Sequence, residues 1–332
     1  MAANKKMQSK MTTKIYAHIQ ASRPYTVIWC GLVSLAGACI SLQAFPPFQK
    51  ALLITFIPMM GWIAGLYLND YVDRNLDAIQ KPHRPIPSGL IHKYEALAIG
   101  GIFAIAGFIL SFYLGLYNIL LVFPVALLVF CYAKCSKSKG IFGNINRGAI
   151  IVAAFFFGVF SINTTLETIP LHIWLLSIVF FIHDTNSNLI GTIRDQWGDK
   201  KGGYNTIPVK YGITKTLYLC LTLSIFYIIL TVLLTTFYNF IHYPIRFYTL
   251  FGLSILILCS MYISLFKKKI TRQTALKAHE FFVAERITYA SAFIAAMTTS
   301  LLVSSSIFML CLIISLVTQT MLRQRYEFME EL

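Results

Sequence analysis

Five of the chain's six aspartates fall in two short stretches. The first, LNDYVDRNLDAIQKPHRPIPSG, covers residues 68–89 and holds Asn69, Asp70, Asp73 and Asp77. Asn69, Asp73 and Asp77 are spaced by four and Asp70 and Asp77 by seven, so on a helix they share one face. Three carboxylates within two turns repel one another unless cations lie between them. The second stretch, GTIRDQWGDKKGGYNTIPVKYG at 191–212, holds Asp195 and Asp199, again four apart. Hard carboxylate oxygens suit Mg²⁺, which keeps several waters and bridges to substrate phosphates. Lysines and arginines close by would grip the remaining phosphate oxygens. A salt-bridged, solvated helix end, with Arg74 or Lys81 as partner, explains less well why acids alone occupy one face. No histidine cluster or cysteine pair offers a zinc site, and Gly202–Gly203 is not followed by the Lys-Ser/Thr of a P-loop.

Both stretches follow directly on long apolar runs. Of 332 residues, 57% are hydrophobic and 12% charged, against about 25% charged in soluble domains. Apolar runs long enough to cross a bilayer lie near 26–44, 50–69, 94–114, 117–134, 146–163, 171–191, 215–238 and 246–266. A further apolar tract, 281–321, is too long for one span. It reads either as an interfacial segment plus one span or as two spans broken around 298–306. No window alternates as a barrel strand would. The expected fold is therefore all-α: one domain over 1–332, a polytopic membrane bundle of nine or ten transmembrane helices. Residues 1–25 read as a cytoplasmic tail and an interfacial helix over 12–24, because no short apolar core with a cleavage site follows the basic start.

The net charge of +15 follows the positive-inside rule rather than pointing to nucleic acid. Lys81, Arg84 and Lys93, then Lys134, Lys137 and Lys139, then Arg194, Lys200, Lys201 and Lys210, then the lysines at 267–269, fall on alternate loops. Those loops, the N-terminus and both acidic stretches are expected in the cytoplasm, with the lipid bilayer as the chain's surroundings. Arg323 and Arg325 favour a cytoplasmic C-terminus as well. The seven cysteines read as small buried residues. A diphosphate carrying a hydrophobic tail fits such a site: its head would meet metal at the interface while its tail lies among the helices. Asp195 comes 125 residues after Asp70, and each motif is followed by a Pro-containing loop, a faint sign of internal duplication.

NDYVDRNLDAIQKPHRPIPSG closely resembles the first aspartate-rich motif, N-D-x-x-D-x-x-x-D, of the UbiA superfamily of intramembrane prenyltransferases. DQWGD resembles the second, D-x-x-x-D. The RPIPSG and TIPVKYG contexts look most like the branch holding chlorophyll synthases and archaeal digeranylgeranylglyceryl phosphate synthases. The resemblance implies two Mg²⁺ ions, one group of ligands being Asn69, Asp70, Asp73 and Asp77 and the other Asp195 and Asp199. It implies an isoprenyl diphosphate substrate and transfer of the prenyl group to an aromatic or lipid acceptor. It also carries a tyrosine–lysine pair onto Tyr132 and Lys137, although their spacing is one residue longer than the usual Tyr-x-x-x-Lys. Arg84 and Arg194, next to the acids, join Lys137 as diphosphate ligands, with Lys200, Lys201 and Arg147 as further cations.

One departure concerns the acceptor. Relatives that use a glyceryl phosphate carry an Arg-Glu pair in the span before the second motif, where this chain has HDTNSNLIGTIRD. The missing arginine points away from a phosphate-bearing acceptor. Asp184 and Asn188 lie on one helical stripe with Asp195 and suggest acceptor recognition or cation stabilisation, alongside Tyr67 and Trp197. The altered segment keeps open a terpene cyclase, in which the substrate's own double bonds attack the cation. A non-enzymatic transporter would place its charges at broken helices near the midplane, unlike these interfacial clusters.

Overall fold

The computed structural model describes residues 13–163, 165–267 and 270–326. The basic tail 1–12, Lys268, Lys269 and the side chain of Arg325 lie outside what is described. A short helix, α1, covers residues 13–22. The main helices are α2 (Pro24–Leu42), α3 (Phe48–Gln80), α4 (Lys93–Ser111), α5 (Leu116–Cys131), α6 (Phe142–Phe160) and α7 (Leu171–Lys201). After the short α8 (Ile207–Tyr211) come α9 (Ile213–Tyr238), α10 (Pro244–Lys267), α11 (Arg272–Met297) and α12 (Leu301–Tyr326). Nine helices of the described residues are long and apolar enough to cross a membrane. The tenth long helix, α11, carries Glu280, Glu285 and Arg286 yet is buried along most of its length. The 281–321 tract is thus broken at 298–300, and of the two helices it spans only α12 is among the nine long and apolar enough to cross. Arg246 of α10 donates to the carbonyls of Thr298 (2.5 Å) and Thr299 (3.1 Å) and so satisfies acceptors left open where α11 ends.

Two helices overshoot the hydrocarbon layer. With 33 residues α3 is about 50 Å long and with 31 residues α7 is about 46 Å, against roughly 30 Å of hydrocarbon. Their extra turns are the ones that bear the aspartates. The acids therefore leave the apolar layer without leaving the helix, which keeps their spacing rigid. Among the described residues there are no strands. Two backbone hydrogen bonds, Gly140 N to Asn205 O (2.8 Å) and Asn205 N to Ser138 O (3.0 Å), tie the loop after α5 to the loop after α7.

The centre of the bundle is α2, α6, α7 and α11, while α4, α9 and α12 present apolar side chains such as Ile102, Phe226 and Leu302 to the outside. Small residues let the central helices meet backbone to backbone. A methyl group on Gly158 of α6 would come within 1.8 Å of the Ser34 carbonyl oxygen of α2, and one on Gly37 within 2.3 Å of the Phe155 carbonyl oxygen. Neither contact can be relieved by a side-chain rotation. Gly158→Ala is expected to force α2 and α6 apart, cost about 1–3 kcal/mol and lower the melting temperature in detergent. An unchanged melting temperature would contradict this packing.

Buried polar groups pair between the central helices. Glu285 of α11 contacts His183 of α7 (2.8 Å) and accepts from Tyr227 of α9 (3.1 Å). Asn186 donates to Ser224 (2.7 Å), whose hydroxyl meets Tyr262 of α10 (2.9 Å). On the acidic side of the bundle, Lys14 and His18 of α1 reach Glu95 of α4 (2.9 and 3.3 Å), and His18 also meets the Tyr67 hydroxyl (2.9 Å). These contacts hold α1 over α3 and α4 and deliver Arg23, at the turn into α2, to the acids.

Candidate active site

Helices α3 and α7 bring both aspartate motifs to one polar cavity of about 180 Å³, lined by Asp70, Asp73, Asp77, Asp195 and Asp199. Eight lysines and arginines line it too, so the walls carry more positive than negative charge. Arg84, on the loop after α3, donates to Asp77 at 2.7 Å and lies 3.7 Å from Asp70. Arg23 also pairs with Asp70, and Lys137 with Asp73. Arg194 makes a two-pronged contact with its neighbour Asp195 (3.0 and 2.6 Å), and Lys81 reaches the same carboxylate across from α3 at 3.3 Å. Thr206 donates to Asp199 at 3.2 Å. Lys81 and Arg84, both just after the first motif, therefore lie between the two motifs.

Burial alone would lower the basicity of Arg84, but Asp77 and Asp70 outweigh it and raise its pKa. Lys137 behaves alike: burial opposes its charge, and Asp73 more than restores it. Both remain cationic throughout the physiological range. The Tyr204 phenol, pushed up chiefly by burial, remains protonated beside Lys137.

The extra residue between Tyr132 and Lys137 has a local explanation. Residues Tyr132–Ser136 form a π-helical turn, and Lys137 N bonds back five residues to Tyr132 O (3.4 Å). A π turn takes one residue more than an α turn, so both side chains line the cavity despite the longer spacing.

Among the described residues no three His, Cys, Asp or Glu side chains converge on one point. Each aspartate instead faces a cation or a hydroxyl of the protein. The donor set nonetheless fits Mg²⁺, since it is all oxygen and spread around one cavity. Asn69 adds to the fit: its amide nitrogen is fixed on the Gly65 carbonyl (2.8 Å), while its buried side-chain oxygen has no hydrogen-bond partner.

A second cavity of about 420 Å³, lined by apolar residues of α3, α4, α5 and α6, adjoins the first. Trp62, Leu66, Asn69, Tyr132 and Arg147 line both. Arg147 lies over the Trp62 ring at 4.3 Å. The boundary between polar head space and apolar tail space is thus built from two aromatic rings, an amide, a leucine and one guanidinium.

Four residues expected at the site from sequence are elsewhere. Trp197 is 64% exposed; two residues from both Asp195 and Asp199, it falls about 200° round the helix from each. Lys200 and Lys201 are exposed at the end of α7 and line neither cavity. Tyr67 is buried, but against Ala17, Ala21, Ile91 and Ala96 beneath α1, and it too lines neither cavity. Asn188 does line the polar cavity and accepts from Asn144 at 2.8 Å. Asp184 lies one layer behind: fully buried, it accepts from Trp29 Nε1 (2.9 Å) and is 3.7 Å from Arg147. Arg23, Tyr204, Thr206, His279 and Arg286 line the cavity without having been singled out from sequence, and Lys81 and Arg323, read there only as a salt-bridge partner and a topology signal, line it too. For Arg286 and Arg323 a signal existed, since each is a charge in or at the edge of an apolar tract.

Residues 28–286 match the UbiA prenyltransferase family. A digeranylgeranylglyceryl phosphate synthase from Korarchaeum cryptofilum is 33% identical over 221 residues, 66% of this chain and 76% of that protein. A solved digeranylgeranylglyceryl phosphate synthase superposes with a TM-score of 0.63 at 25% identity, covering 86% of this chain and 98% of that one. A UbiA homologue from Archaeoglobus fulgidus, solved with GPP and Mg²⁺, shares the fold with a TM-score of 0.56 at 16% identity, over 93% of this chain and 99% of that one. With two aspartate motifs on overlong helices around one cavity, and a family match spanning α2 to α11, the chain belongs to the UbiA prenyltransferase family.

Proposed function

We propose that this protein ionises a prenyl diphosphate held between its two aspartate motifs and transfers the prenyl group to a lipid acceptor, a reading supported by its similarity to archaeal proteins named digeranylgeranylglyceryl phosphate synthase. One observation carries the reading: a polar cavity ringed by five aspartates and eight cations opens onto an apolar cavity of about 420 Å³. A molecule with a highly charged head and a long apolar tail matches that pair of spaces. Bound Mg²⁺, two ions by the family resemblance, would be held by Asn69, Asp70, Asp73, Asp77, Asp195 and Asp199 and would take up charge as the diphosphate departs.

The protein's own groups do the rest. Arg84, Lys137 and Arg194 turn N–H donors to the phosphate oxygens and stabilise the charge that grows on them, with Tyr132 beside them at the mouth of the tail space. The allylic end of the substrate falls at the boundary, where the electron-rich Trp62 and Tyr132 rings line both spaces near the developing cation. Leu66, Ile150 and Ala153 keep water from the tail space. Asn188, steered by Asn144, reaches the cavity from α7 and is placed to meet the acceptor. Lys81, Arg84, Lys137 and Arg194 gather where the motifs emerge, which supports a cytoplasmic mouth.

Product analysis tests the reading. Purified protein in detergent with Mg²⁺ and geranylgeranyl diphosphate should release diphosphate only when a lipid alcohol or glyceryl ether acceptor is added, and mass spectrometry should find the acceptor one prenyl group heavier. A cyclised hydrocarbon or terpene alcohol formed without acceptor would contradict it and identify a cyclase.

A further inference from the structure

Helix α1 has little apolar area to hold it on the bundle. Of its residues only Ala17 and Ala21 are buried, against Tyr67, Ile91 and Ala96, while Ile15 and Ile19 are exposed. Polar contacts fasten it instead. Lys14 and His18 meet the same oxygen of Glu95, Oε1, in the first turn of α4 (2.9 and 3.3 Å). The second ring nitrogen of His18 meets the hydroxyl of Tyr67 (2.9 Å), on α3 just before the first motif.

Arg23 follows directly after α1, and its backbone is left-handed (φ 43°, ψ 64°). A residue with a side chain adopts that conformation at a cost, and the following proline pushes it toward extended backbone. Such strain persists only where the surroundings impose it, and it is characteristic of functional positions. Here the Arg23 amide donates to the Gln20 carbonyl of α1 (3.3 Å). The amide and hydroxyl of Thr26, in α2, hold the Arg23 carbonyl (2.8 and 2.9 Å). The strained turn delivers the guanidinium to Asp70, where Nη2 pairs with Oδ1. Arg84 Nη1 approaches that same oxygen at 3.7 Å. Both cations thus take one oxygen of the carboxylate and leave Oδ2 as the one open to a metal ion.

We propose that α1 is a strap, fastened by Glu95, that sets the Mg²⁺ affinity of the first motif through Arg23. By holding one oxygen of Asp70, Arg23 fixes the orientation in which the other meets the ion. An outer partner that steers a metal ligand in this way is worth roughly 10–100-fold in metal affinity. Arg23 and Glu95 are positioning residues: Glu95 acts through α1 on Arg23, and Arg23 acts through Asp70. The proposal rests on the prenyl-transfer reading, from which it takes the metal.

The test titrates Mg²⁺ into the purified full chain with a non-cleavable prenyl thiodiphosphate in excess and follows the rise in melting temperature, so that it involves no turnover. R23M is expected to need roughly 10–100-fold more Mg²⁺ for half the rise, yet to reach the wild-type rise at saturating Mg²⁺. R23G relieves the left-handed turn while removing the guanidinium. It should melt no lower than wild type without Mg²⁺ and show the same raised requirement, which separates metal affinity from folding. E95K sets the clasp against Lys14 and should need roughly fivefold more Mg²⁺, the upper end for an exposed ion pair. K14E/E95K restores the pair with its charges exchanged and should return close to wild type. R23M/E95K should need no more Mg²⁺ than R23M alone, because both act along one path. A wild-type requirement in R23M, R23G or E95K would overturn the proposal, as would a K14E/E95K variant no better than E95K. So would an R23M rise that stays low at saturating Mg²⁺, which would make Arg23 a direct ligand of the diphosphate. A wild-type chain with no Mg²⁺-dependent rise would instead overturn the proposed function.

Discussion

Asp195→Asn is expected to lower the rate of prenyl diphosphate turnover at least about 10²–10³-fold, the scale of losing one preorganised electrostatic contact in a transition state. The substitution keeps the shape and removes only the charge. Asp195 is where Arg194 and Lys81 converge, one from its own helix and one from across the cavity. Without its charge the second motif is left with Asp199 alone, and the cations from both sides lose their shared counter-ion. A melting curve separates this loss of rate from a loss of fold, because Asp195, 26% exposed, is the counter-ion of both Arg194 and Lys81. Asp70→Asn should match it in rate, from the other helix. The double variant should be hardly slower than either single one if the motifs act as a unit. Diphosphate release checks all three, and wild-type rates in either single variant would remove the metal assignment.

Glu285→Ala should have the largest effect on stability. Its carboxylate is 1% exposed and sits between His183 of α7 and Tyr227 of α9, so one side chain joins three helices. Its removal leaves a buried imidazole and a buried phenol without an acceptor, inside a cluster where Trp29, Phe282 and Tyr289 pack round His183. A loss of about 3–5 kcal/mol follows. Glu285→Gln keeps an acceptor and should recover much of it. The melting temperatures of the two variants in detergent provide the check, and an alanine variant as stable as wild type would show that the cluster does not hold α7, α9 and α11 together.

Much of this was legible in the sequence because the relevant signals are local. Asn69, Asp73 and Asp77 at spacings of four lie on one helix face, and hydropathy alone locates the helices that carry the motifs. Where inference failed, the cause was geometry that spacing does not carry. Trp197 is close to Asp195 in sequence but on the far side of α7, and Lys200 and Lys201 are beyond the turns that face the cavity. Tyr67 lies just before the first motif but faces α1. Arg23 precedes a proline with no pattern around it, and only the turn between α1 and α2, where its φ is 43°, brings it to Asp70. The Tyr132–Lys137 spacing looked irregular until the π turn absorbed the extra residue. The arginines of α11 and α12 are remote in sequence from both motifs, and only packing against α2 brings them to the same cavity.

The central claim is that two motifs far apart in the chain form one Mg²⁺-dependent diphosphate site. Isothermal titration of a non-cleavable prenyl thiodiphosphate into purified protein tests it most directly. The account predicts binding with Mg²⁺, loss of binding in EDTA, and at least tenfold weaker binding in both Asp70→Asn and Asp195→Asn. Equal affinity in EDTA, or a normal affinity in either variant, would contradict it.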